Sequence, residues 1–171
     1  MKKYEFTGET KEIRLLFRTA TLHRIRATVA FGIVEVGDLG GWIEKEENLS
    51  HEGKAWVWGN AKVWGNAKVC GDAKVWGNAK VCGDAKVFSA SHVLVIGAIG
   101  SRNDFTTFYR DKDNEITVKC GCFLGKIDRF LEKVTQTHGD SKYALVYRAA
   151  VEVAKLQIDL SGEAPKDADE E

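Results

Sequence analysis

The residues best suited to chemistry stand together at positions 97–104, which read GAIGSRND. An apolar run ends there, and small residues and hydrogen-bonding groups follow it. A glycine-rich turn can point several backbone N–H groups in one direction, which makes a concavity for an anion. Ser101 and Arg102 could complete the grip on a phosphate, because a guanidinium presents a planar fork of donors. We therefore predict a site for a small phosphorylated ligand, such as a nucleotide, in this stretch.

Polar and aromatic side chains near this stretch extend the predicted site. The strand that follows carries hydroxyl groups and a ring for stacking, and two arginines on one face of an N-terminal strand could approach it. The predicted ligand-binding residues are Gly100, Ser101, Arg102, Asn103, Asp104, Thr106, Thr107, Tyr109, Arg24 and Arg26. The alternative is a tight turn capped by Asp104, with Arg102 in a surface ion pair. Neither a GxGxxG nor a GxxxxGKS/T motif supports a conventional nucleotide fold.

The residues that could catalyse a reaction or bind a metal form no recognisable arrangement. The histidines are His23, His51, His92 and His138. Their spacing indicates neither a Ser-His-Asp nor a Cys-His arrangement, although His92 could act as the base of an acyl transfer. Cys120 and Cys122 would point to the same face of a strand, but two ligands at this spacing are not a zinc motif. We predict no catalytic residue, no metal and no cofactor, with acyl transfer as the enzymatic alternative.

Composition and charge narrow the class of protein. The 171 residues include 25 Lys and Arg against 25 Asp and Glu, which argues against binding to a nucleic-acid polymer, since such binding usually needs a basic surface. No apolar run approaches about 18 residues, so no membrane span is expected. The charged start, MKKYEFTGETKEIR, is unlike a signal peptide. The four cysteines are therefore expected to be free thiols in the cytoplasm.

A six-residue repeat dominates positions 55–93. Valine recurs every six residues from Val57 to Val93, and alanine precedes it by two positions from Ala55 to Ala85. Two apolar residues at i and i+2 predict a short strand with one buried face, and the Gly-Asn or Gly-Asp pair that follows is typical of a turn. Three strands and three corners would close an 18-residue coil of a parallel β-helix. Residues 18 apart would then stack about 4.8 Å apart.

This pattern resembles the hexapeptide-repeat family of left-handed β-helix proteins, in which an aliphatic residue is followed by a small residue four positions later. Val63 with Ala67 and Val69 with Ala73 fit it, and the resemblance covers residues 43–96. It implies a short left-handed parallel β-helix. It implies little about function, because the same coil serves acyltransferases, carbonic anhydrases and scaffolds. Trimers are common in the family, so we expect a homo-oligomer, either a trimer or a dimer.

Large apolar side chains on the outside of the predicted coil indicate a covered surface. The 18-residue register stacks Trp58 on Trp76 on Leu94, and an exposed apolar patch of this kind marks an interaction site. The predicted interface residues are Trp56, Trp58, Trp64, Trp76 and Phe88. The chain's own helices, a sister subunit or an external partner could cover this surface.

The segments on either side of the repeat complete a protein that is expected to be mainly β with C-terminal helices. The predicted divisions are an N-terminal cap at 1–42, the β-helix at 43–96, a β-hairpin and two-helix module at 97–160, and a disordered acidic tail at 161–171. Apolar spacing predicts strands at 93–97, 104–110 and 115–123, and helices at 126–138 and 141–158.

A second resemblance concerns most of residues 20–158. The sequence GDLGGWIEKEENLS at 37–50 and the module that begins IGSRNDFTTFYRDKDNE resemble small phage and prophage proteins with a hexapeptide stack. The resemblance implies a phage origin and hence the host cytoplasm. Small phage proteins that bind without catalysis often counteract host defences, so we expect a non-enzymatic sponge that sequesters a nucleotide-type signal. The alternatives are a protein-binding inhibitor or scaffold that uses the Trp-rich face, and a hexapeptide-type acyltransferase.

Overall fold

A computed structural model describes residues 1–161 of the chain, which form thirteen β-strands and two α-helices. The strands are β1 Tyr4–Arg14, β2 Thr19–Ala27, β3 Leu39–Ile43, β4 Trp56–Val57, β5 Lys62–Val63, β6 Lys68–Val69, β7 Lys74–Val75, β8 Lys80–Val81, β9 Lys86–Val87, β10 Val93–Ile99, β11 Asp104–Arg110, β12 Ile116–Cys120 and β13 Phe123–Lys126. The helices are α1 Ile127–His138 and α2 Lys142–Gln157.

The N-terminal strands belong to the same sheet as part of the repeat. β1 and β2 pair antiparallel, with Tyr4 opposite Ala27 at one end and Arg14 opposite Thr19 at the other. β3 pairs antiparallel with β2 and, on its other edge, parallel with β5, which pairs in turn with β8. The result is a mixed five-stranded sheet in the order β1-β2-β3-β5-β8.

The six repeat strands, β4 to β9, contain two residues each and pair in parallel with the strand 18 residues away. The valine pairs are Val57 with Val75, Val63 with Val81, and Val69 with Val87. The predicted 18-residue register is therefore confirmed for these three pairs. The register ends there, because β10 pairs antiparallel with β11 and places Val93 opposite Tyr109.

The prediction of a short left-handed parallel β-helix is wrong. The repeat strands are divided among three sheets: β5 and β8 lie in the five-stranded sheet, β4 and β7 form a two-stranded sheet, and β6 and β9 form another. Glycines with positive φ, such as 55° at Gly59 and 69° at Gly65, turn the chain after each of β4 to β8, so no ladder becomes long. The fold is a mixed arrangement of several small sheets with two C-terminal helices.

The alanines and valines of the repeat form the main apolar core, as the alternation predicts. Val57, Val63 and Val75 are completely buried, and the repeat alanines are at most 1% exposed. Burying each valine side chain contributes about 1.5 kcal/mol or more. Tyr109 of β11 belongs to the same core, so the C-terminal sheet is anchored on the repeat.

A four-stranded antiparallel sheet, β10-β11-β12-β13, replaces the predicted hairpin. The segment predicted as one strand at 115–123 is divided by a turn at Gly121, where φ is +56°. Helices α1 and α2 pack on this sheet and form a second core around Phe108, Phe130 and Val151. The predicted helices at 126–138 and 141–158 are confirmed to within one residue at each end.

The predicted division of the chain at residues 42, 96 and 160 stays a prediction. The tail predicted at 161–171 lies, except for Ser161, outside the residues that the structure describes. Within residues 1–161, neither helix is long and apolar enough to cross a membrane.

Lys3 is a buried cation beside the repeat core, and its burial should make stability depend on pH. The residue is 2% exposed, and its Nζ donates a hydrogen bond of 2.8 Å to the carbonyl oxygen of Ala55. Burial lowers the pKa of Lys3 to about 8, whereas the pKa in an unfolded chain is about 10.4. Between these values the unfolded state binds more protons, so the free energy of unfolding rises with pH across this window.

The variant Lys3→Met removes the titrating group and tests whether the free energy of unfolding rises with pH because of Lys3. In urea unfolding, the free energy of unfolding of the wild type minus that of Lys3→Met should rise by at most about 3 kcal/mol between about pH 7 and pH 10.5. The tyrosines and cysteines titrate in both proteins, so the comparison cancels their effects. A difference that stays constant with pH would contradict a lowered pKa of Lys3.

Candidate functional site

A pocket of about 230 Å³ lies between the helices and two turns of the C-terminal sheet. The β10–β11 turn forms one wall, the β12–β13 turn forms another, and side chains of α1 and α2 close the rest. The lining residues are Ser101, Arg102, Asp104, Cys120, Gly121, Cys122, Phe123, Phe130, Lys133, Val134, Thr137, His138 and Tyr147. Three residues of the predicted stretch 97–104, Ser101, Arg102 and Asp104, therefore line the pocket.

Positive charge dominates the pocket lining. Arg102 and Lys133 carry it, and Asp104 is the single carboxylate among the lining residues. His138, the last residue of α1, stacks on the ring of Tyr147 with centroids 5.7 Å and planes 28° apart. This charge distribution attracts an anion to the pocket.

Two glycines allow side chains to approach the backbone at the pocket. Gly100 has a φ of +77°, and a Cβ at this position would collide with the hydroxyl of Tyr147. A Cβ on Gly121 would lie 3.1 Å from Nη1 of Arg102, so the guanidinium rests against this turn. Burial, together with the nearby Cys120, raises the pKa of Tyr147 to about 12. The Tyr147 hydroxyl therefore stays protonated near neutral pH and can donate a hydrogen bond.

Aromatic rings form the apolar wall of the pocket. The centroids of Phe123 and Phe130 are 5.4 Å apart, and those of Phe130 and Tyr147 are 5.7 Å apart with planes at 87°. Phe130 is 3% exposed, so the packing around it fixes its ring. The pocket volume lies below the range of about 300–1,000 Å³ that is typical for drug-sized ligands. The pocket can enclose one part of a nucleotide-sized molecule, and the remainder would extend outside.

The structure brings most of the predicted stretch 100–104 to this pocket. Ser101, Arg102 and Asp104 line it. Asn103 has a φ of +50°, and its backbone N–H donates to the carbonyl oxygen of Gly100 at 3.2 Å, so it closes the turn and holds its neighbours in place.

The contacts of Asp104 and Arg102 bear on the alternative interpretation, a turn capped by Asp104 with Arg102 in a surface ion pair. Asp104 Oδ1 accepts a hydrogen bond of 2.7 Å from the N–H of Phe105, which is a local contact at the start of β11. Arg102, however, forms no salt bridge with any residue of 1–161. Its guanidinium is exposed and remains accessible to a ligand.

Three predicted residues on β11 do not line the pocket. Thr106, Thr107 and Tyr109 are at most 1% exposed. Thr107 Oγ1 accepts the N–H of Lys80 at 3.0 Å, and the Tyr109 hydroxyl donates to the carbonyl oxygen of Cys82 at 3.0 Å. The hydroxyls of Thr107 and Tyr109 therefore attach β11 to the repeat, whereas Thr106 Oγ1 donates to Cys120 Sγ at 3.4 Å.

The two predicted arginines of β2 are not among the lining residues. Arg24 pairs with Glu9 at 3.4 Å, and Arg26 pairs with Glu5 at 2.5 Å. Both contacts cross from β2 to β1 on the exposed face of the N-terminal sheet. The arginines therefore stabilise cross-strand pairing, and the structure does not bring them to residues 100–104.

The predicted interface residues are divided between the interior and the surface. Trp58 stacks on Trp76, as predicted, with centroids 4.7 Å apart and planes at 7°, and Trp76 is 46% exposed. Trp56 and Trp64 are buried within the chain, at 1% and 5% exposure. Phe88 is half-buried beneath the guanidinium of Arg110, 5.1 Å from its ring. Among the five predicted interface residues, the Trp58–Trp76 pair therefore presents the most exposed aromatic surface.

The pocket residues that lie on α1 and β13 were not predicted from the sequence. These residues are Phe123, Phe130, Lys133, Val134, Thr137 and His138. A signal was present, because positions 130, 133, 134 and 137 follow the spacing of one helical face. This spacing indicates that the residues share one face of α1, but it does not indicate which turns of the sheet that face packs against.

No protein-family model matches the chain, and no curated protein matches it. Within the described residues, no group of three or more His, Cys, Asp or Glu side chains is placed to hold a metal ion. Inference about function therefore starts from the pocket and from the resemblances in the sequence.

Proposed function

We propose that the protein binds a small phosphorylated ligand, without catalysing its conversion, in the pocket beside Arg102. One observation carries the proposal. An exposed guanidinium without a salt bridge to any described residue lies at the mouth of an aromatic pocket, where cations outnumber carboxylates.

Different lining residues can contact different parts of such a ligand. Arg102 and Lys133 would hold the phosphate, with the hydroxyl of Ser101 as a further donor. Hydrogen bonds to charged groups contribute about 1.5–3 kcal/mol each. The rings of Phe123 and Tyr147 would contact the sugar or base, because a base can stack on any aromatic ring.

Sequestration of a nucleotide-type signal is the role that we propose for this binding. The support is the resemblance of the sequence to small phage proteins, for which counteracting a host defence requires affinity and no chemistry. A sponge of this kind acts in the host cytoplasm. We further propose a homo-oligomer, because α2 leaves Leu145, Val153 and Leu156 between 48% and 90% exposed.

The test is native mass spectrometry and calorimetry with inorganic phosphate and a panel of linear and cyclic nucleotides. We expect at least one nucleotide to bind, and we expect Arg102→Ala to weaken it by at least about tenfold, because a charge-assisted contact is worth more than 1.4 kcal/mol. Arg129→Ala is the matched control, since Arg129 is exposed on α1 outside the pocket. Spectra of the unliganded protein give the stoichiometry.

Two outcomes would overturn the proposal. One is a protein that stays empty against the whole panel. The other is binding that Arg102→Ala and Arg129→Ala weaken equally, because the effect would then come from net charge and not from the pocket.

A protein-binding function of the Trp58–Trp76 pair is the second candidate. The observation in its favour is that Trp76 is 46% exposed although it stacks on Trp58, with ring centroids 4.7 Å apart. An apolar surface of a partner would cover this ring. Binding through this pair would be insensitive to Arg102→Ala.

A further inference from the structure

A second cavity lies between the β1–β2 turn and the β12–β13 turn, and its volume is about 830 Å³. Residues 14–18 form one wall, and Cys122 and Leu124 form the other. Trp64 and Cys82 of the repeat also line the cavity, and they form its floor because they are only 5% and 1% exposed. The volume lies within the range of about 300–1,000 Å³ that is typical of small-molecule sites. We call this cavity the hairpin groove.

The apex of the β1–β2 turn is apolar, although it faces solvent. The N–H of Leu15 donates to the carbonyl oxygen of Arg18 at 2.8 Å and closes the turn. Leu16 and Phe17 at the apex are 86% and 94% exposed, where turns usually carry Gly, Asn, Asp, Ser or Pro. Leu124 on the other wall is 47% exposed. An apolar ligand in the groove would remove these side chains from water, which is favourable.

Positive charge borders this apolar surface. Arg14, Arg18 and Lys119 line the hairpin groove, whereas none of the described lining residues carries a carboxylate. Arg18 is held by two contacts with the carboxylate of Glu44, which lies outside the groove. Arg14 is exposed and forms no salt bridge with any residue of 1–161. Its guanidinium is therefore accessible to the charged group of a ligand.

Lys119 is a further cation of the groove without a carboxylate partner among residues 1–161. Its Nζ donates to the carbonyl oxygen of Gly121 at 2.5 Å, and an ammonium group has two further N–H donors. Burial lowers the pKa of Lys119. A carboxylate in the groove would stabilise the charged form of this side chain.

The combination of apolar surface and positive charge favours one kind of occupant. A second copy of the chain in a two-fold interface would bring the same cations opposite each other, which is unfavourable. A wholly polar anion would leave Leu16 and Phe17 in water. A small molecule with an apolar chain and a single carboxylate matches both the apolar turn and the cations.

We propose that the hairpin groove binds a single-chain fatty acid. The apolar chain lies against Phe17 and Trp64, and the carboxylate pairs with Arg14 in the positive field to which Lys119 contributes. The hairpin groove shares only Gly121 and Cys122 with the pocket beside Arg102. The proposal therefore does not rest on the binding of a phosphorylated ligand in that pocket.

Calorimetry with sodium dodecanoate, below the concentration at which it forms micelles, tests this proposal, and native mass spectrometry gives the stoichiometry. We expect a single dodecanoate for each chain. Dodecylamine keeps the apolar chain but reverses the charge, and butanoate keeps the carboxylate but shortens the chain. Both should bind at least about tenfold more weakly than dodecanoate, because one loses the charge pairing and the other loses most of the apolar burial.

Substitutions of exposed side chains test the two contacts without disturbing the core. Phe17→Ser should weaken dodecanoate binding by at least about tenfold. Its control is Ile33→Ser, since Ile33 is 66% exposed and lies outside the groove. Arg14→Ala should weaken binding by at least about fivefold. Its control is Arg129→Ala, since Arg129 is exposed on α1 outside the groove.

Four results would each refute the proposal. The first is a protein that does not bind dodecanoate, and the second is equal affinity for dodecanoate and dodecylamine. The third is a loss of binding in Arg102→Ala as large as that in Arg14→Ala, which would place the fatty acid in the other pocket. The fourth is attachment to phosphatidylglycerol vesicles that depends on Phe17 while monomeric dodecanoate does not bind, which would assign the apolar turn to a membrane surface.

Discussion

Gly40→Ala should unfold the protein or destabilise it by about 3 kcal/mol or more. A Cβ at this position would lie 2.6 Å from Cγ1 of Ile25, 2.7 Å from Cζ2 of Trp56 and 2.8 Å from the carbonyl oxygen of Val57. Ile25 and Trp56 are at most 1% exposed, so neither side chain can move into solvent. The strain would fall where β3 crosses from the antiparallel strands to the repeat.

Chemical unfolding monitored by tryptophan fluorescence measures this loss. Gly8→Ala is the control, because Gly8 has a φ of +94° but no atom within 4 Å of its Cβ position. It should cost only about 1 kcal/mol, the ordinary penalty for a side chain at positive φ. Equal effects of the two substitutions would show that Gly40 has no special packing role.

Asn48→Ala should destabilise the protein by about 3–5 kcal/mol. Asn48 is completely buried at the start of the repeat. Its Nδ2 donates to the carbonyl oxygens of Gly65 and Ala67 at 3.1 and 2.9 Å, and its Oδ1 accepts the N–H of Lys45 at 2.9 Å. The substitution leaves three backbone groups without partners, and each costs about 1–3 kcal/mol when buried.

Thermal unfolding followed by circular dichroism checks this expectation. Asn78→Ala is the matched control, since the side chain of Asn78 is exposed in a turn and makes no hydrogen bond to residues 1–161. Asn48→Asp keeps the shape but directs a carboxylate oxygen at two carbonyl oxygens, so it should also be strongly destabilising. A small effect of both Asn48 variants would mean that water replaces the three hydrogen bonds.

The local pairing within the repeat could be predicted from the sequence, but the architecture could not. A strict period of six residues places Val57 opposite Val75 because three strands and three turns repeat every 18 residues. The same period does not state which neighbours each strand acquires. β5 pairs with β3 as well as with β8, whereas β6 pairs with β9 and is joined to Leu49 only by an isolated bridge. Segments outside the repeat determine which sheet each repeat strand joins. The β-helix prediction was wrong because the repeat alone does not contain this information.

The candidate site shows a similar division. The turn at 100–104 was predictable from its own residues, because glycine and asparagine at positive φ bring Ser101 and Arg102 to the surface. The opposite wall of the pocket could not be predicted. Lys133 and Tyr147 belong to different helices, and no local sequence pattern indicates how the two helices pack. The hydroxyls of β11 were misleading for the same reason: a threonine that binds a ligand and a threonine that bonds to Lys80 look alike in sequence.

The 18-residue register also restricts how the length of this chain can change during evolution. A duplication of one six-residue repeat would leave every valine and alanine inside, so the core would accept it. Every later residue, however, would move six places out of the 18-residue register, and Trp76 would no longer stack on Trp58. Lys80, whose N–H bonds to Thr107, would lose its pairing with Lys62 in the same way. Only duplications in units of three repeats keep residues 18 apart paired.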